Sequence, residues 1–463
     1  MRVFLLVIVI FLVNYTLGAQ DLNDRYQKLS IQIVKTALTD QKGYQLLKDL
    51  CAIGPRLSGY PTSYKAIDWC AAQLDSLGCD RIWLHSVMIP RWNRGDTEDA
   101  FYTLSNNTEK KELIINALGG SIGTPADGIS AEVLEVHSFE ELQDKAEQAR
   151  GKIIFYNRPF DQSVLYSFAG YSGAVNQRTQ GAIEAAKVGG VASLVRSVTS
   201  MDDNVPHTGV MYYKEEVPEI PAAAIGVQDA NKLSDALRDD PGLKVTLKLS
   251  CENLSEVESY NVIGEIKGTK YPQEVIVVGG HLDAWDKGDG AHDDGAGCVQ
   301  SLEVLYLLKK LGIKPSRTIR CVLFMDEEQH QMGAKAYGYY ASYAPEKHLA
   351  AIESDRGGFT PRGFNVTADS LIIEKMQDWL PYLNNASIDW IRKGGSGPDI
   401  SRIKNATALI GYVPDGQRYF DYHHSANDVF DAVHPRELEL GSAAMTILTY
   451  LISEEGLELD VRR

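Results

Sequence analysis

The feature that most constrains this chain is an apolar run that ends in metal-ligand side chains. Val275 to Gly297 reads VIVVGGHLDAWDKGDGAHDDGAG. A strand-like stretch leads through two glycines to His281 and Asp283, and the acid pair Asp293–Asp294 follows. Imidazole and carboxylate are the nitrogen and oxygen donors that a catalytic divalent metal takes. Glycines around them free the backbone to turn those side chains toward one point. A second run, TIRCVLFMDEE, ends in Glu327–Glu328. Two strands delivering ligands in succession point to a metal-dependent hydrolase.

The surrounding pattern fixes the fold class. Strand Glu274 to Val278 precedes helix Cys298 to Leu311, strand Thr318 to Met325 precedes helix Ala334 to Tyr343, and strand Leu349 to Glu353 ends in Ser354–Asp355. Apolar strands alternating with helices predict an α/β fold with a largely parallel central sheet covered on both faces. In such sheets the binding crevice lies at the carboxyl ends of the strands, where all three ligand segments fall. Earlier in the chain, Ser63 to Leu77 has helical spacing, and residues 83–115 read as short strands and turns. Between 118 and 252, short β-like pieces alternate with helical ones such as Gln180 to Val188, and no cluster of metal ligands occurs. That stretch reads as an inserted β-rich domain. It divides the rest into a first part, 20–117, and a second part, 253–463, that carries the metal site.

A chain of 463 residues exceeds one ordinary core, which agrees with two domains. A net charge of −16 argues against a surface that tracks nucleic-acid phosphates. Residues 1–19 read as a secretory signal peptide: basic Met1–Arg2, apolar Val3 to Val13, then Leu17-Gly18-Ala19. The expected location is therefore secreted or periplasmic, with no stable membrane insertion. An oxidising compartment permits disulfides, and Cys51, Cys70 and Cys79 are candidates for one bridge. Cys298 and Cys321 sit in apolar segments and read as core residues.

Two metals about 3.5–4 Å apart need a bridging carboxylate and separate terminal ligands. The chain offers Asp293 as the bridge, Glu328 and Asp355 as terminal acids, and His281 and His424 as imidazole ligands. Glu327 remains free to take a proton from an activated water. Gly-x-x-x-x-Gly-Lys and His-Glu-x-x-His are missing from the sequence, which argues against a phosphate-cradling loop and a single-zinc, helix-borne protease.

Four segments, HLDAWDKGDGAHDDGAG, FMDEEQ, IESDRGG and YHHSAND, resemble the metal-site motifs of the zinc exopeptidases that include bacterial leucyl aminopeptidases and glutamate carboxypeptidase. The likeness is strongest to the carboxypeptidase Q branch and runs from the IGPRLSG segment to His434. It implies the zinc exopeptidase fold, a protease-associated domain in the insert, and two Zn²⁺ ions. By position, His281 and Asp355 match the ligands of one zinc, Glu328 and His424 those of the other, and Asp293 the bridge. Glu327 matches the general base, and Asp283 the aspartate that orients the first histidine. Asp293–Asp294 matches a site where a cis peptide is usual. His423 stands where some relatives place a tyrosine that holds the oxyanion.

The resemblance further implies small peptide substrates, dipeptides with free carboxyl ends among them, and a homodimer. The residues themselves leave open an aminopeptidase, an amidohydrolase or deacylase on non-peptide amides, and a non-catalytic binding module. Filled ligand positions argue against the last. Arg356, Arg392, Lys393 and Arg402 are candidate carboxylate receivers beside the motifs.

Overall fold

The computed structural model describes residues 23–458, and two eight-stranded sheets organise them. The signal-peptide segment 1–19 lies outside the described residues. The first sheet runs in the order Arg81–Asn93, Glu252–Ile266, Arg317–Phe324, Tyr271–His281, Lys347–Glu353, Ala408–Pro414, Pro361–Thr367, Trp390–Lys393. Its four central strands, from Arg317–Phe324 to Ala408–Pro414, are parallel, and antiparallel pairs flank them. The fold is thus α/β with a mixed, centrally parallel sheet.

The run VIVV is apolar throughout because the sheet has no wet face there. Ile276 and Val278 pack with Val299, Leu302 and Leu448, on the helices Ala296–Lys310 and Pro435–Glu455. Val275 and Val277 point the other way and pack with Ala334, Tyr337 and Ala341 of the helix Met332–Tyr343. Alternate residues along one strand therefore feed two cores, as the period of a strand requires.

The first half holds a longer element than its sequence suggests. Short strands and turns were expected over 83–115, yet Arg81–Asn93 is one strand of 13 residues. It lies at the sheet edge, half exposed, so its apolar alternation is weak. Pro90 sits where the register slips between Ile89 and Arg91, a place an edge strand tolerates.

The chain leaves the first sheet after Arg81–Asn93 and returns through Glu252–Ile266, and these two strands pair antiparallel. Between them, the second sheet is built from residues 98–249. Its first strands, Glu98–Thr103, Lys111–Leu113 and Ile115–Ala117, lie before 118, so the sheet begins earlier than the composition change suggests. Ile129–Val136, Ile153–Tyr156, Ala192–Arg196 and Ala222–Ile225 are parallel. Helix Gly181–Lys187 stops just before Gly189, whose φ of 83° suits glycine. No helix among the described residues is long and apolar enough to cross a membrane.

All six cysteines are unpaired, so the bridge expected among Cys51, Cys70 and Cys79 is not formed. Cys51 and Cys70 instead pack in the main core with Cys298 and Cys321.

One buried acid pair has a measurable effect. Glu303 and Glu439 hydrogen-bond to each other between the helices Ala296–Lys310 and Pro435–Glu455, near Asp40 and Ser442, and Glu439 also accepts the Tyr44 amide at 2.9 Å. Burial, reinforced by Glu303, pushes the Glu439 carboxyl up to about 10. The folded state thus keeps a proton that the unfolded chain releases above the ordinary carboxylate range, so stability falls as pH rises between those two values. The slope approaches ~1.4 kcal/mol per pH unit for one proton. Glu439→Gln, which keeps an acceptor for Tyr44 and a donor for Glu303, should raise the melting temperature at pH 8 and flatten its fall from pH 5. An unchanged pH profile would show that the pair is ionised in the fold.

Candidate metal centre

Three of the parallel strands deliver the expected ligands at their carboxyl ends. His281 closes Tyr271–His281, Glu327 and Glu328 follow Arg317–Phe324, and Asp355 follows Lys347–Glu353. His423 and His424 come from the loop after the short helix Tyr419–Tyr422. All meet around Asp293, whose peptide bond to Asp294 is cis.

The turn that carries Asp293 is pinned from two directions. Asp294 accepts the amides of His281 at 3.1 Å and Gly297 at 3.0 Å. A Cβ at Gly280 would stand 2.2 Å from the Asp294 carboxylate, and one at Gly297 only 1.9 Å from the Ser354 carbonyl. Glycine at both positions is therefore a packing requirement. Asp428 accepts the amides of His292 at 2.7 Å and Asp293 at 3.1 Å.

Asp293 divides its two oxygens. Oδ1 lies 3.2 Å from His281 Nε2, which is also 3.5 Å from Asp355. Oδ2 lies 3.3 Å from His424 Nε2, which is also 2.9 Å from Glu328. One carboxylate thus joins two sets, each with one histidine and one further acid. Glu327 stands 4.0 Å from His281 Nε2 and accepts a hydrogen bond from Gln331. His423 stacks on His424 with ring centroids 3.5 Å apart, and its Nε2 is 3.8 Å from Asp293 Oδ2. That groups it with Asp293 and His424 as a further residue able to hold a metal, besides the oxyanion position that the resemblance implied.

Electrostatics mark the cluster as short of positive charge. Burial would raise the Asp293 carboxyl, but hydrogen bonds from His281 and His424 hold it well below the usual carboxylate range. Burial would lower His424, yet Glu328 and Asp293 push it up to about 10. Burial would likewise lower His281, which Asp293 and Asp355 hold well above its ordinary value. Burial pushes Glu327 well up, and Asp355 and Glu328 add to the shift against the pull of His281. Glu328 Oε1 is buried with no hydrogen-bond partner. Four acids around two ligand histidines, with an orphaned buried carboxylate oxygen, fit cation binding.

Asp283 acts differently from the expectation. Its carboxylate is 4.0 Å from His281 Nδ1, while its backbone carbonyl lies 2.9 Å from that nitrogen. The main chain therefore orients the ring. The carboxylate instead accepts the amides of Asp326 at 2.7 Å, Glu327 at 3.1 Å and Glu328 at 3.3 Å, together with Ser58 Oγ at 3.0 Å. It anchors the turn that presents Glu327 and Glu328.

The inserted segment, which carries no ligand cluster of its own, reaches the centre. Thr208 donates its amide to the His424 carbonyl at 2.9 Å, and the Thr208 carbonyl lies 3.3 Å from His424 Nδ1. His207 Nδ1 meets the His423 carbonyl at 2.7 Å. These contacts hold His424 at φ 61°, a conformation uncommon outside glycine. Arg178 lies 3.4 Å from His424 Nδ1. Arg178, Thr208 and His207 had no local signal in the sequence, and Asp428 had only its place in YHHSAND.

A cavity of about 600 Å³ opens over the cluster. Besides Asp293, Glu327, Glu328, Asp355, His423 and His424, its lining includes Phe168, Tyr171 and three cations, Arg178, Lys335 and Arg402.

Residues 261–449 match the model of Peptidase family M28. Carboxypeptidase Q of Homo sapiens is 38% identical over 92% of this chain and 88% of the human protein. Its Xenopus laevis counterpart is 39% identical over 87% and 83%. A crystal structure of a Peptidase M28 precursor from Shewanella amazonensis superposes with a TM-score of 0.88 at 33% identity, covering 93% of this chain and 97% of that one. A zinc aminopeptidase from Bacillus subtilis shares the fold at 20% identity, with a TM-score of 0.64 over 88% and 94%.

Strand-end acids and histidines converging on one carboxylate, taken with these relatives, make the protein a metallo-exopeptidase. More narrowly, the chain belongs to peptidase family M28, close to carboxypeptidase Q.

Proposed function

We propose that the protein is an exported di-zinc exopeptidase that hydrolyses short peptides, dipeptides with a free carboxyl end foremost. The observation that carries this reading is the division of the Asp293 oxygens between two histidine–carboxylate pairs. His281 and Asp355 would hold one zinc, Glu328 and His424 the other, and Asp293 both. Two bound zinc ions supply Lewis-acid polarisation of a water and of the scissile carbonyl. Glu327 takes the proton of the attacking water on its carboxylate and passes it to the leaving amine. His423, kept neutral by burial, donates to the oxyanion from the cavity wall. Asp283 fixes the base by holding its backbone amide.

The cavity chemistry supports the carboxyl end over the amino end. All four of its lining acids belong to the metal and base set, whereas Arg178, Lys335 and Arg402 are free of that duty. An α-ammonium would find no spare acid there; an α-carboxylate finds cations. Export is supported by the apolar leader in the sequence, and a homodimer by likeness to the carboxypeptidase Q branch.

Dialysis against a chelator should abolish dipeptide turnover, and added zinc should restore it. N-blocked dipeptides should remain substrates better than C-blocked ones. Preference for C-blocked dipeptides would make it an aminopeptidase. Chelator-sensitive turnover of acylated amino acids with none of any dipeptide would make it a deacylase.

A further inference from the structure

A second cleft, of about 420 Å³, lies beside the catalytic cavity and shares Phe168 with it as a wall. One side comes from the inserted segment, where Tyr166, Ser167 and Phe168 lead into the helix Ser167–Ala174. The other comes from the first sheet, including its edge strand Trp390–Lys393. Arg356, Arg362 and Arg392 line the cleft against a single acid, Asp415. Arg362 pairs with Asp415 at 2.8 Å, which neutralises both.

Arg356 and Arg392 form no ion pair among the described residues. Each instead lies over an aromatic ring: the Arg356 guanidinium carbon is 4.9 Å from the Phe168 centroid, and that of Arg392 is 3.9 Å from Trp390. Arg392 spends only Nε, on Asn365 Oδ1 at 3.3 Å. Stacking fixes the plane of a guanidinium while leaving the N–H groups on its edge free, the arrangement that receives a carboxylate. Two such groups, with flat apolar walls beside them, suit an anionic group on an apolar body.

We propose that this cleft is a subsite for the carboxylate of an acidic peptide whose scissile bond lies in the neighbouring cavity. Arg356 and Arg392 receive the carboxylate, and Phe168 and Trp390 pack against the adjoining chain. The protein would then favour peptides longer than a dipeptide when their distal residue is acidic. This rests on the exopeptidase reading above and goes beyond it in naming where an extended substrate is read.

The test compares the zinc-loaded wild type with Arg392→Gln and with Lys393→Gln. Lys393 is the next residue on the same strand, exposed and outside the lining of both cavities, which removes it from the candidate carboxylate receivers and lets it control for the change in net charge. Substrates are Ala-Ala and two tripeptide pairs, Glu-Ala-Ala with Gln-Ala-Ala and Ala-Ala-Glu with Ala-Ala-Gln. Arg392→Gln should raise KM for one acidic tripeptide by about three- to tenfold, as expected for a partly exposed ionic contact. Ala-Ala and the glutamine tripeptides should be unaffected, and Lys393→Gln should change nothing. Equal shifts in the two variants, equal shifts on Glu and Gln peptides, or no shift would overturn the subsite. If the wild type hydrolyses no peptide, the exopeptidase reading fails, and calorimetric titration with glutarate decides the subsite separately. Binding by the wild type that is lost in Arg392→Gln would uphold an anion site; no binding, or equal binding, would remove it.

Discussion

Glu327→Gln is expected to lower kcat by about 10²–10⁴-fold, the usual contribution of a positioned general base, while zinc content stays at the wild-type level. The two losses separate because Glu327 stands apart from the carboxylates that face the histidines most closely. Its nearest histidine contact is 4.0 Å, against 3.2 Å and 3.5 Å for Asp293 and Asp355 on the same imidazole. Glutamine keeps the volume and can still accept from Gln331, which bonds Glu327 Oε1 at 3.3 Å. It cannot take a proton. Steady-state kinetics on a dipeptide, with metal analysis of the same preparation, checks both halves. Full activity in the variant would remove Glu327 from the mechanism.

The second large effect concerns Asp283→Asn. The wild-type carboxylate accepts from three consecutive amides, those of residues 326–328, and from Ser58. Asparagine keeps one acceptor oxygen and turns the other corner into an N–H₂ group facing N–H donors. Hydrogen bonds to a charged group contribute about 1.5–3 kcal/mol each, and an abandoned buried donor costs about 1–3 kcal/mol. The variant should therefore lose ~3 kcal/mol in urea unfolding. It should also lose turnover, because the turn presenting Glu327 and Glu328 comes loose. Ser58→Ala removes one donor of the four and should cost only ~1 kcal/mol. A wild-type urea midpoint for Asp283→Asn would show that the carboxylate is not the anchor of that turn.

The Asp283 geometry also shows how far sequence carries. That His281, Glu327, Glu328 and Asp355 lie near one another was legible, because parallel strands place their carboxyl ends in one crevice. A residue's presence does not tell which of its atoms makes the contact, so the backbone of Asp283 rather than its carboxylate meets the histidine. Arg178 and Thr208 were invisible for another reason. They meet His424 from more than two hundred positions away, from a short helix and a loop of the inserted segment, and no local pattern encodes that. Arg81–Asn93 was read short because an edge strand lacks the two-sided burial that makes the central strands plain. Asp428 lay within a quoted motif, but its two amide contacts arise only when the loop folds over the Asp293 turn.

The grip of Thr208 and His207 on the His423–His424 loop makes the two halves of the centre unequal. The half built on His281 and Asp355 is assembled from neighbouring strands of one sheet, so it exists as soon as that sheet does. The half built on His424 rests against a seam with the segment that carries His207 and Thr208, and such seams open more readily than cores. On the two-metal reading proposed above, loading of the centre should therefore be sequential. When metal is scarce, a half-filled form with its vacancy on the seam side should accumulate, and whatever tightens the seam should fill it.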